Sequence, residues 1–324
     1  MDSISIIRTP IESELEAFKE LYDSSLSSSN TLLDSVVAHI RQRSGKMMRP
    51  ILVLLVARLY GVVSPATLHA AVSLELLHNA SLVHDDVVDE AFVRRGAPSV
   101  NALWRSHTAV LIGDYIFART YHVCMEQGGD DMLSEATRSV HEMSEGELTQ
   151  TELSESLRMT RELYLDIIYK KTASLLAACG AIGAISVNAT PEQIKAMRDF
   201  GTNLGIAFQI KDDILDFSPM EVTGKPMCGD MRERKITLPL LYVLENSSEA
   251  EHGKLIGKLS DIRQRPANVD YLARTVRERG GLEHAATVMT QYRDKALTSL
   301  ENYPESPVRE SMRRFADFVL ERNK

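Results

Sequence analysis

Apolar residues recur along most of the chain at three- and four-residue spacing, and alternating strand patterns are almost absent. The pattern predicts a succession of helices. The first spans roughly residues 11–26 and is opened by Thr9-Pro10 with acids behind it. A serine-rich stretch, 24–30, leads into a second helix that ends near Gln42. Residues 43–50, RSGKMMRP, read as a basic turn before an apolar helix over 51–60. Ser64-Pro65 caps a long helix over about 66–89, and Gly96 and Pro98 punctuate a turn over 94–98. Helices are predicted over about 100–124, 132–152, 161–187 and 192–217. A charged loop with Gly and Pro follows at 218–235, then a helix over 236–244. The last third reads as shorter, more polar helices with turns at 265–266, 280–281 and 304–307. No fixed-period repeat or low-complexity linker breaks the chain. The expectation is one all-α domain over 1–324, a large helical bundle around a deep central cavity.

Two segments break the apolar pattern in the same way. In the helix over 66–89, Leu74, His78, Ser81 and Asp85 are spaced i, i+4, i+7, i+11, with Asp89 one turn on and Asp86 beside them. Such spacing puts the set on one helical stripe. In the helix over 192–217, Gly205, Gln209, Asp212 and Asp216 repeat the spacing, with Asp213 beside them. Each copy reads D-D-x-x-D late in an apolar helix. Acids at i and i+4 repel by about 0.2–0.5 kcal/mol per pair even when exposed, and burial raises the cost unless a cation compensates. Paired clusters therefore point to cations and to an anion held by them. Mg²⁺ suits this arrangement, because it binds through one or two carboxylates plus substrate phosphates and keeps several waters.

Composition narrows the class. The 324 residues are 44% apolar and 25% charged, enough for a large core. A net charge of −8 argues against nucleic acid as a partner. Three widely spaced cysteines, Cys124, Cys179 and Cys228, have no metal spacing and fit a reducing cytoplasm. The N-terminus shows no signal pattern, and the purest apolar run, 51–57, is far too short for a bilayer, so at most peripheral membrane contact is expected. Within this acidic chain, basic residues gather near the acidic motifs: Lys46 and Arg49 in the basic turn, Arg94 and Arg95 after the first cluster, Lys171 beside Thr172, and Lys225 and Lys235 around the loop after the second. Arginine forks and lysine point charges suit a diphosphate. A lone surface lysine or arginine is ordinarily only solvated, and these gain meaning from their company. His78 and Gln209 lie on the two stripes, and Gly201 and Gly205 suit a close helix approach or a cavity. G-x-S-x-G, H-E-x-x-H, Walker A and Rossmann fingerprints are all missing, which leaves nucleophilic and hydride chemistry without a foothold.

In order along nearly the whole chain, GKMMRP, LVHDDVVDEAFVRRGAPSVN, KTASLLAACG, GIAFQIKDDILDF and GKPMCGDMRERKITLPLLY resemble the motif set of the trans-type polyprenyl diphosphate synthases. That resemblance implies a Mg²⁺-dependent prenyltransferase, usually a homodimer, that joins isopentenyl diphosphate head to tail to an allylic diphosphate. It implies a cluster of three Mg²⁺ ions with bound diphosphate, held by Asp85, Asp86, Asp89, Asp212, Asp213 and Asp216. Arg94, Lys171, Lys225 and Lys235 are expected on the allylic diphosphate, and Lys46, Arg49, His78 and Arg95 on isopentenyl diphosphate. Thr172 and Gln209 are expected at the reacting centre, with Asp85, Asp89, Lys171, Gln209 and Asp212 as the catalytic set. Bulky aromatics just before the first motif stop the chain early in this family. Here those positions are Ala80 and Ser81, which implies a medium- or long-chain product, octaprenyl within a hexa- to decaprenyl range, for quinone side chains. Met143 is the expected cavity floor. One departure is Arg234 before Lys235, where the family often has glycine. A geranylgeranyl or farnesyl synthase is the alternative. A terpene cyclase needs neither GKMMRP nor Arg94-Arg95, and the six intact aspartates argue against a non-catalytic subunit.

Overall fold

The computed structural model describes residues 3–42, 45–94, 96–127, 129–219 and 227–321. Its elements are α1 (Ser3–Arg8), a 3₁₀ turn at Thr9–Ile11, α2 (Glu12–Ser25), α3 (Thr31–Arg41), α4 (Met48–Tyr60), α5 (Pro65–Val88), the two-residue strands β1 (Val93–Arg94) and β2 (Ala97–Pro98), α6 (Val100–Gln127), α7 (Gly129–Ser156), α8 (Arg161–Ile168), a π-helical turn at Tyr169–Ala173, α9 (Ser174–Ile185), α10 (Pro191–Leu215), α11 (Gly229–Arg232), α12 (Leu238–Glu245), α13 (Glu249–Ser260), α14 (Asn268–Glu278), α15 (Gly281–Thr298) and α16 (Pro307–Glu321). The all-α expectation holds, with one antiparallel two-stranded hairpin that pairs Val93 with Pro98 and Arg94 with Ala97. Among the described residues, no helix is long and apolar enough to cross a membrane.

The chain forms two compact units. One comprises Met1–Val140, Ala177–Arg198 and Tyr303–Arg314; the other comprises His141–Leu176, Asp199–Asn302 and Phe315–Lys324. In the first, α4 is apolar on every side and fully buried from Pro50 to Ala57, so it forms the centre. Alongside it runs α5, started by Pro65 and by a capping box in which Ser64 and Thr67 each bond the other's backbone. α5 packs along α6 and α2. α6 is kinked at Arg105, whose backbone leaves the helix at φ 68 and ψ 161; the sequence predicts an unbroken helix there.

The second unit has its own core. Tyr164 and Ile168 of α8, Ile210 of α10, Leu241 of α12 and Leu272 and Val276 of α14 meet in it. Here the predicted helix over 161–187 is interrupted by the π-turn, and the predicted loop over 218–235 carries α11 in its described part.

Candidate active site

In the first unit, the basic turn ends at Met47, which takes a left-handed conformation at the N-cap of α4 (φ 53). This places Arg49, half-buried, in the first turn of α4 and leaves Lys46 exposed. The Lys46 carbonyl is tied down by the Arg8 guanidinium at 2.8 Å. Along α5, His78, Ser81 and Asp85 are half-buried and Leu74 is buried, so the predicted stripe is only partly covered. Ala80 is fully buried, and the Ser81 hydroxyl donates to the His78 carbonyl at 2.9 Å. Asp89 ends the helix as its exposed C-cap. Asp86 turns inward: it is 3% exposed and accepts from Arg94 Nε at 2.5 Å. Burial pushes the Asp86 carboxyl up, and the Arg94 guanidinium opposes the shift. Asp86 and Arg94 line a small pocket with His39 and Asn79. Arg95 lies outside the described residues.

In the second unit, Lys171 and Thr172 both sit on the π-turn. Thr172 donates to Gln209 Oε1 at 2.7 Å, and Gln209 Nε2 donates to Asp213 Oδ1 at 3.0 Å. Tyr164 donates to the other oxygen of Asp213 at 2.7 Å. Asp213 is only 2% exposed; burial first and Asp230 second push its carboxyl up, against the two donors. Asp216 accepts from the backbone N–H groups of Gly229 (2.9 Å) and Asp230 (3.2 Å), so it holds the start of α11. Burial, then Asp230, raises its carboxyl to about 6. Asp212 remains half-buried. Lys171 reaches Glu147 at 2.6 Å and Gln150 at 3.0 Å, and Lys235 pairs with Glu233 at 2.5 Å. A small pocket collects Lys171, Lys235, Gln209, Asp213, Tyr164 and Asp230. Lys225 lies outside the described residues, and Met143 is half-buried on α7.

The structure adds residues that spacing does not reveal. Tyr164 has no sequence signal. Asp230 stands inside the loop that carries the last motif, as one charge among several. The π-turn itself is clamped by two glycines: a Cβ on Gly146 would lie 2.9 Å from the Lys171 nitrogen, and one on Gly205 would lie 2.5 Å from Ala173 Cα. Close approach thus explains Gly205. Arg234 has φ 64, the left-handed region where glycine is free of strain, which gives a physical reason for a glycine at that place.

Among the described residues, no three or more His, Cys, Asp or Glu side chains form a closed metal cage. Open carboxylate turns of this kind fit Mg²⁺, whose remaining oxygens come from water and phosphate, better than Zn²⁺, which wants a preformed nitrogen and sulfur set.

Residues 30–276 match the polyprenyl synthetase family model, a span that draws on both compact units. The chain is 36% identical to the short chain isoprenyl diphosphate synthase of Methanothermobacter thermautotrophicus over 88% of each protein. It superposes on the crystal structure of a decaprenyl diphosphate synthase from Rhodobacter capsulatus with a TM-score of 0.91 at 32% identity, covering 99% of both chains. The geranylgeranyl pyrophosphate synthase structure from Bacteroides thetaiotaomicron gives a TM-score of 0.85 at 42% identity, over 99% of this chain and 100% of that one.

Proposed function

We propose a reaction and a division of labour from one premise: the chain belongs to the polyprenyl synthetase family and is a trans-prenyltransferase. It condenses isopentenyl diphosphate head to tail with an allylic diphosphate, and residues 1–324 act as one catalytic domain. The observation that carries the reading is how the two D-D-x-x-D turns are anchored by tertiary contacts. Asp86 is engaged by Arg94, Asp213 by Tyr164 and Gln209, and Asp216 by two loop amides. Asp85, Asp89 and Asp212 are half-buried or exposed. All six aspartates are assigned to Mg²⁺, and the contacts of Asp86, Asp213 and Asp216 fix the frame of the two turns. Mg²⁺ held by these carboxylates would supply neutralisation of the charge that develops as the allylic diphosphate departs.

The side chains do the rest. Arg94, Lys171 and Lys235 exchange their carboxylate partners for diphosphate oxygens, and Lys46, Arg49 and His78 hold isopentenyl diphosphate. Arg95 and Lys225 join these two sets on the strength of the sequence. Gln209 and Thr172 present an amide and a hydroxyl oxygen to the allylic cation. The isopentenyl double bond attacks that cation, and the departing diphosphate takes the proton. Water exclusion keeps the cation from hydrolysis.

The product is a medium- to long-chain all-trans polyprenyl diphosphate, octaprenyl within a hexa- to decaprenyl range, for quinone side chains. Small residues at Ala80 and Ser81 support it, and Met143 is the assigned floor of the elongation path. A second reading, a geranylgeranyl product, is favoured by the 42% identity to the Bacteroides synthase. The enzyme works as a homodimer in the cytoplasm. Leu103, Val110 and Leu111 of α6, each more than 40% exposed, offer an apolar face for a second copy, and the three cysteines are free and buried.

The test is incubation with Mg²⁺, labelled isopentenyl diphosphate and farnesyl diphosphate, followed by sizing of the dephosphorylated prenols. A ladder ending near octaprenol is expected. A ladder that stops at twenty carbons would select the second reading, and no incorporation with any allylic primer would remove both.

A further inference from the structure

The first unit buries a carboxylate to which the reaction scheme assigns no role. Glu75 lies on α5, one helical turn before His78, and is 5% exposed. A carboxylate so placed is costly unless a cation or several donors compensate it.

Three helices fix what lies at its level. α9 runs parallel to α4: a Cβ on Gly61 would meet Val187 at 3.3 Å, and one on Gly183 would meet the Val53 carbonyl at 2.7 Å. One turn further toward the N-terminus of both helices, the same register brings Arg49 level with Cys179. α5 crosses α9 in the opposite sense, with Thr67 Oγ1 2.8 Å from Ser186 Oγ. Eight residues on from Thr67 is Glu75, and seven back from Ser186 is Cys179, displacements of about 12 Å and about 10.5 Å at 1.5 Å per residue. Arg49, Glu75 and Cys179 therefore share one layer. The electrostatics agree: the Cys179 thiol, raised to about 12 mainly by burial, is pulled down by Arg49 and pushed up by Glu75.

We propose that Glu75 is a positioning residue for isopentenyl diphosphate, its buried carboxylate orienting the Arg49 guanidinium toward the diphosphate while His78 approaches from the next turn of α5. A planar fork held by a buried acid loses little freedom when it grips phosphate, whereas a free arginine must first be ordered. The inference rests on the reading of Arg49 as a diphosphate ligand.

The test is steady-state kinetics of the full-length enzyme with Mg²⁺, varying isopentenyl diphosphate and farnesyl diphosphate separately, for Glu75→Gln, Glu75→Asp, Arg49→Gln and the Glu75→Gln/Arg49→Gln pair. Glu75→Gln is expected to raise KM for isopentenyl diphosphate by about tenfold or more, as for loss of a charge-assisted contact, with KM for farnesyl diphosphate and kcat little changed. Glu75→Asp, which keeps the charge but retracts it, should fall between and serves alone if the glutamine variant does not fold. In the Arg49→Gln background, Glu75→Gln should add little. An unchanged KM in both Glu75 variants, a loss spread equally over both substrates, or effects of the two residues that multiply independently would overturn the proposal. An unchanged KM in Arg49→Gln alone would instead overturn the reading of Arg49, and the proposal with it.

Discussion

Neighbouring residues of one motif do different work because burial separates them. Ala80 and Ser81 are both small, yet Ala80 is fully buried while Ser81 is half-buried beside His78. A phenylalanine therefore meets packed atoms at one position and partly open space at the other. Ser81→Phe should keep the fold and shorten the products in the prenol assay. Ala80→Phe should cost about 1–3 kcal/mol by overpacking, read as a lower urea midpoint. If Ser81→Phe leaves the product ladder unchanged, Ser81 does not line the elongation path. Arg234 is another single-residue case: its left-handed backbone is visible only once φ is known, although the unusual residue before Lys235 flags the place.

At the scale of elements, the π-turn decides how Lys171 and Thr172 are presented. It is gripped between Gly146 on α7 and Gly205 on α10, and its Thr172 reaches Gln209 on α10. The glycines of α13 contrast with these, since a Cβ on Gly253 or Gly257 would meet nothing within 4 Å. The same substitution should thus have opposite signs. Gly205→Ala should destabilise by about 1–3 kcal/mol and lower kcat by displacing the π-turn. Gly253→Ala should stabilise by roughly 0.5–1 kcal/mol, because only backbone entropy and helix propensity change. Chemical denaturation of both variants checks the pair; equal signs would refute the clamp. Sequence spacing marks Gly205 as a helix residue with a reason to be small. Gly146 escapes notice, because its partner is the backbone at Lys171, in a turn distant in sequence, which no local pattern encodes.

For the whole molecule, the absence of a closed metal cage among the described residues has a consequence for stability. Mg²⁺ alone has few protein oxygens to bind, whereas Mg²⁺ with a diphosphate completes its own shell. Binding to the native state stabilises by mass action. Millimolar Mg²⁺ should therefore shift Tm little, and Mg²⁺ with a non-hydrolysable allylic thiodiphosphate should raise it by several degrees, about 2–4 °C per kcal/mol for a chain of this size class. A large shift with Mg²⁺ alone would argue for a preformed metal site.

The sequence by itself determined the helical class, the order of the long helices, the cap at Ser64 and the two aspartate turns, because period, capping chemistry and charge spacing are local properties of the chain. It also carried enough ordered motifs to indicate the family. Tertiary structure alone decided how Asp86, Asp213 and Asp216 are held, since Arg94, Tyr164 and the amides of Gly229 and Asp230 come from elsewhere in the chain. It likewise decided the kink at Arg105, the π-turn, and the shared layer of Arg49, Glu75 and Cys179. A helical period says which side chains share a face. What fills the space opposite that face, and so whether a carboxylate there is buried or open to a ligand, depends on neighbours distant in sequence.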